Sequence, residues 1–190
     1  MKMKFKISFN APIVLSFILI CFIVTILACI TNGKIVENLF MCYHSSLTNP
    51  LTYLRLFTHV FGHSGWEHFI GNATYLLLLG PILEEKYGSL RIAEIIAVTA
   101  FAGGIVNYLF FWNTAVCGAS GIVFAFILLV SFTGFRTKEI PFSFILVAII
   151  FIGNQIYEGF TYNDNIAHIQ HIIGGLIGAG MGYKLNKNRQ

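Results

Sequence analysis

Of 190 residues, 56% are hydrophobic, only 11% are charged and 19 are Phe, more apolar surface than one soluble core of this length can hide. That excludes an ordinary soluble domain and points to a polytopic, all-α membrane protein. The net charge of +4 does not indicate nucleic acid, because Lys and Arg sit in short loops and at the ends of apolar runs, with no basic stripe interleaved with aromatics.

In chain order, residues 1–10 read as a cytoplasmic amino-terminal tail carrying Lys2, Lys4 and Lys6. Ala11 to Thr31 then stays apolar for about the 20 residues that a membrane crossing needs. Because five more apolar segments follow, this is expected to be a retained span rather than a cleaved signal. Thr31 to Glu67 is the longest polar-tolerant connection, broken by Asn32-Gly33, Asn49-Pro50 and Gly62-His63-Ser64-Gly65 and expected to lie partly in the membrane interface. The second span is expected over Trp66 to Leu83, the third from Arg91 to about Trp112, and the fourth from Gly118 to about Gly134. The fifth runs from Phe142 to about Gln155 and the sixth from Asn165 to Leu185, so that 11–185 is one six-span domain and 186–190 a cytoplasmic tail.

Six spans put both termini on one side. With the amino terminus inside, the inner set is Lys2, Lys4, Lys6, Lys86, Arg91, Arg136, Lys138, Lys184, Lys187 and Arg189, and only Lys34 and Arg55 lie outside. That asymmetry places the chain in a membrane with both termini cytoplasmic.

Chemistry concentrates at Cys117-Gly118-Ala119-Ser120-Gly121, which follows an outer loop and opens the fourth span. A serine entering a helix whose first N–H groups are still unpaired combines an oxygen nucleophile with an oxyanion site. Small-residue runs also occur wherever membrane helices pack closely, so the stretch needs a base in reach to mean more. Ionisable groups inside spans are functional candidates by default, and His68, Asn72, His168 and His171 are the relevant ones. Ser120 lies sixteen residues before Arg136, His68 sixteen before Glu84 and His171 thirteen before Lys184. At about 1.5 Å per residue all three stand roughly 20–24 Å above the inner face. In a hydrocarbon core of about 30 Å they share one depth, below the outer surface. A fourth span starting at Gly118 is too short to cross unaided, so the loop before it must dip beside a water-filled cavity.

His68 and Asn72 share a helix face at i,i+4 and can both donate to an oxyanion, together with the Ser120 N–H; they can equally hydrogen-bond neighbouring helices. On the sixth span His171, Gly174, Gly175, Gly178 and Gly182 form a stripe, matched on the fourth by Gly118, Gly121 and Ala125, so the two backbones can approach and carry His171 to Ser120. Asp164 is seven residues, or about 10 Å, from His171, which favours a Ser-His dyad over a triad. His168 lies close enough to compete as base; its role is left open between that and a structural pairing with Asp164.

A metal site is the competing chemistry, since His59, His63 and His68 cluster and His168 with His171 is an i,i+3 pair. It lacks a partner set: Glu67 points about 100° away from His68 and no HExxH occurs, so neither metal nor cofactor is expected. Four cysteines at these spacings form no disulfide framework, although a Cys42–Cys117 bridge across the outer loops is conceivable.

Several separated motifs now stand in order: Arg55-Leu56-Phe57-Thr58-His59 followed by His63, the His68-x-x-x-Asn72 pair, Gly80-Pro81-Ile82-Leu83-Glu84, Gly118-Ala119-Ser120-Gly121, and Ala167-His168-Ile169-Gln170-His171-Ile172-Ile173-Gly174-Gly175. Together, over Asn49 to Gly182, they resemble the rhomboid family of intramembrane serine proteases. The resemblance implies a six-transmembrane-helix bundle with a short central serine-bearing helix, of the minimal bacterial type, in the cytoplasmic membrane and with its site opening to the outer side. It implies Ser120 as nucleophile, His171 as general base and acid, and His68, Asn72 and the Ser120 N–H as the oxyanion site. Gly118, Gly121, Phe124, Gly174 and Gly178 would support that site. Phe124 departs from the family, many members of which carry a tyrosine there; it can stack on the histidine but not hydrogen-bond. The implied substrates are membrane proteins with a transmembrane helix, the lipid bilayer is a further partner, and no nucleic acid is expected. A catalytically silent rhomboid-like protein that binds transmembrane helices is the alternative, and a membrane metal-handling protein comes third.

Overall fold

The computed structural model describes residues 9–132, 142–161 and 165–187. Gly134, Arg136, Lys138, Asp164, Arg189 and the three lysines of the amino-terminal tail lie outside the described residues, and with them most of both expected tails. The described chain is mostly helical. Its elements are α1 (Pro12–Ile30), α2 (Lys34–Leu39), β1 (Cys42–Tyr43), α3 (Pro50–Thr58) continued by a 3₁₀ turn (His59–Phe61), α4 (Trp66–Tyr87), α5 (Ser89–Phe110), β2 (Ala115–Val116), α6 (Ser120–Ser131), α7 (Phe142–Thr161) and α8 (Asn165–Lys187). Among the described residues, α1 and α5 are long and apolar enough to cross a membrane by themselves. α6 is equally apolar but has only 12 residues, about 18 Å of helix.

α6 is the hub. Ile122, Ala125, Phe126, Leu128 and Leu129 are buried on all its faces, because α4, α5, α7 and α8 surround it, with α8 in the most extensive contact. Along that contact a Cβ on Gly174 would stand 1.9 Å from the Gly121 carbonyl oxygen, and one on Gly178 2.1 Å from that of Ala125. Only glycine lets these backbones touch, so the stripe on α8 sets the register of α8 against α6.

The connection between the first two long helices is more ordered than its breakers indicate. Asn49 caps α3 by accepting from the Leu51 N–H, and Pro50 occupies the first turn, where no N–H is required. Arg55, one of the two cations expected on the outer side, is 3% exposed. Its Nε donates to the Asn38 carbonyl, and its guanidinium lies 4.4 Å from the Tyr43 ring centroid. α3 presses on α5 so closely that a Cβ on Gly104 would meet the Leu56 carbonyl at 2.5 Å.

α4 also outruns its expected end at Leu83. Glu84 is buried, and its two carboxylate oxygens accept from the Ile13 and Val14 N–H groups at 3.0 Å each. These are orphan donors at the start of α1, where the helix dipole favours negative charge. The acid that reads in sequence as an inner charged end is therefore a cap for another helix, and α4 continues past it to Tyr87.

Candidate active site

The serine loop is held from two sides. β1 and β2 pair antiparallel, Cys42 with Val116 and Tyr43 with Ala115, which ties the approach to α6 to the first long connection. The Gly118 N–H then donates to the His59 carbonyl at 2.9 Å. Gly118 has φ +128°, a region that favours glycine, and a Cβ there would strike the His68 ring at 2.7–2.8 Å. Glycine is thus required twice, by the backbone and by the imidazole packed against it.

Ala119 is fully buried and its carbonyl accepts from both Ile122 and Val123. Ser120 is the first residue of α6, so its N–H and that of Gly121 are donors without an intrahelical acceptor, at the positive end of the helix dipole. Ser120 and His171 line one cavity of about 600 Å³, together with His68, Gly118 and Gly121. Phe124, one turn beyond Ser120, stacks flat on His171 with centroids 4.2 Å apart and planes 6° from parallel. The aromatic ring fixes the plane of the imidazole without a hydrogen bond. His168 stands edge-on to His171 at 6.3 Å and does not line the cavity.

The two expected oxyanion donors part company. His68 lines the main cavity and is hydrogen-bonded through Nδ1 to the Ser64 hydroxyl at 3.2 Å. Asn72, 8% exposed, lines a separate small pocket with Ala119 and His63.

Other cavity residues carried little or no individual signal. His59 is buried, with Nε2 3.0 Å from the Ala100 carbonyl, and burial lowers its pKa despite that bond. Gln170 donates to the Gly103 carbonyl at 2.9 Å, fastening α8 to α5 beside His171. Thr99 lines the same wall. His59 and Gln170 belong to the motifs of the sequence, whereas nothing in spacing marks Thr99. Cys42 and Cys117 are both free thiols. Burial pushes the Cys117 thiol up to about 11, so it is no competitor to Ser120 as a nucleophile at neutral pH.

The Rhomboid domain description matches residues 50–188. Rhomboid-related protein 1 of Caenorhabditis elegans is 30% identical over 138 residues, covering 68% of this chain and 39% of that protein. RHOMBOID-like protein 7 of Arabidopsis thaliana is 28% identical over 130 residues, covering 65% and 41%. Rhomboid protease GlpG of Salmonella choleraesuis is 30% identical over 136 residues, covering 68% and 47%. The chain thus spans less than half the length of each of these relatives. A match that runs from the first residue of α3 to the end of α8, with the serine loop and the glycine stripe inside it, makes this chain a member of the rhomboid family of integral membrane proteins.

Proposed function

We propose that the protein is an intramembrane serine endopeptidase that hydrolyses peptide bonds in or near the transmembrane segments of membrane proteins. The observation that carries this reading is the convergence of Ser120, His171 and His68 on one cavity at the amino end of a buried helix. The name of the Salmonella relative, a rhomboid protease, supports the same reading.

In this mechanism the Ser120 hydroxyl attacks the scissile carbonyl while His171 takes its proton. The developing oxyanion is stabilised by the Ser120 N–H, by His68 and by Asn72. His171 then gives the proton to the leaving amine, leaving an acyl-Ser120 ester. Water entering the cavity hydrolyses that ester, with His171 again as base. Gly174 and Gly178 hold His171 against α6, Gly118 and Gly121 leave room for the loop and for His68, and Phe124 holds the imidazole plane. The fold belonging to this reading is a six-span bundle of α1, α4, α5, α6, α7 and α8, with both termini cytoplasmic. Its site opens to the outer side of a bacterial cytoplasmic membrane.

Purified protein in detergent, treated with a fluorescent fluorophosphonate, should be labelled at Ser120, and Ser120→Ala should lose both labelling and cleavage of a transmembrane substrate. Absence of Ser120-dependent labelling and cleavage in the folded wild type would replace this reading with that of a silent helix-binding member.

A further inference from the structure

His63 is 2% exposed, between the 3₁₀ turn and α4. Its Nδ1 lies 3.3 Å from the Phe61 carbonyl, which can only accept, so Nδ1 carries the proton and Nε2 offers a lone pair. Burial, and secondarily the neighbouring His68, push its pKa down to about 4, against the pull of the Phe61 carbonyl, and the ring is neutral at neutral pH. Among the described residues, His63 Nε2 and Asn72 Nδ2 are both buried without a hydrogen-bond partner. One is an acceptor and the other a donor, and both residues line the same small pocket. The rest of that pocket is lined by apolar side chains of α1 and α4, Ala119 and Cys21, whose thiol is directed to the Val60 carbonyl. It has no space for a water molecule. Each orphaned group carries a desolvation penalty that a bond between them cancels. The terminal torsion of an asparagine is soft enough to make that bond.

We propose that His63 is a positioning residue for Asn72, its Nε2 accepting one of the two Nδ2 protons of the amide. The amide is planar, so fixing one N–H fixes the direction of the other, the one that the peptidase reading offers to the oxyanion. His63 also packs edge-on against His68, with centroids 5.0 Å apart. The inference rests on the peptidase reading for its catalytic consequence, but the pairing itself does not.

The test is a double-mutant cycle on cleavage of a transmembrane substrate in detergent. His63→Leu should lower kcat about tenfold with KM unchanged, a fraction of the 10²–10³ that removal of an oxyanion donor costs. In an Asn72→Ala background the same substitution should have almost no further effect. An equal effect of His63→Leu in both backgrounds overturns the proposal. A second measurement needs neither His63→Leu nor activity: ¹⁵N resonances of the histidines in the wild type and in Asn72→Ala. The His63 Nε2 resonance should shift on loss of the Asn72 amide, and an unmoved resonance overturns the pairing. A shift in a protein that neither cleaves nor labels at Ser120 would retain the pair and discard the peptidase.

Discussion

Two histidines three residues apart on α8 can in principle serve Ser120, and their surroundings separate them. His171 lines the cavity with Ser120 and lies flat against Phe124; His168, about 4.5 Å further along the axis, is outside that cavity. His171→Ala should therefore reduce cleavage by about 10²–10⁴, the range expected for a general base. His168→Ala should retain a measurable fraction, with both variants extracted from membranes in equal amounts. The exchange of these outcomes would assign the base to His168 and shift the register of α8 against α6 by a turn. Asp164, the carboxylate four residues before His168, lies outside the described residues. The expectation of His171 over His168 came from the glycines that follow it at helical spacing and from the family motif. The departure at Phe124 was legible only by resemblance, and its stacking is the product of α6 and α8 meeting at glycine.

Among the elements, α1 and α4 are joined by a bond that sequence could not announce. Glu84 and the start of α1 are some seventy residues apart, yet the carboxylate closes two of the donors that every helix leaves open. Gly80 lies against Val14 one turn away, where a Cβ would come within 2.5 Å of a methyl carbon, so the two helices cross closely beside the cap. Glu84→Ala should destabilise the fold by about 1–3 kcal/mol, the cost of leaving buried donors unsatisfied, and Glu84→Gln, which keeps one acceptor, by less. Thermal unfolding in detergent, read by tryptophan fluorescence, measures this. Unchanged midpoints for both variants would show that the cap contributes nothing. α6 illustrates the opposite relation: its shortness follows from the glycines that delay its start, and the close packing around it follows from its uniformly apolar faces.

For the molecule as a whole, the ten-to-two distribution of positive residues makes a topological prediction. Single cysteines replacing Lys138 and Asn163, in a background lacking the native ones, should react with an impermeant thiol reagent only from the inside and only from the outside, respectively. The reverse pattern would turn the site toward the cytoplasm. Composition by itself determined a helical membrane protein, since so apolar a chain cannot be dissolved as one domain, and helix periodicity determined that His171 shares a face with Gly174 and Gly178. Those quantities are local, fixed by rise and turn along a single helix. Tertiary structure alone decided that the long first connection folds into α2 and α3, that Arg55 is buried, that Glu84 caps a distant helix, and that His68 and Asn72 face different pockets. Each of these depends on which backbone group lies opposite a polar side chain. That is set by how helices remote in sequence pack together, and no spacing along one helix encodes it.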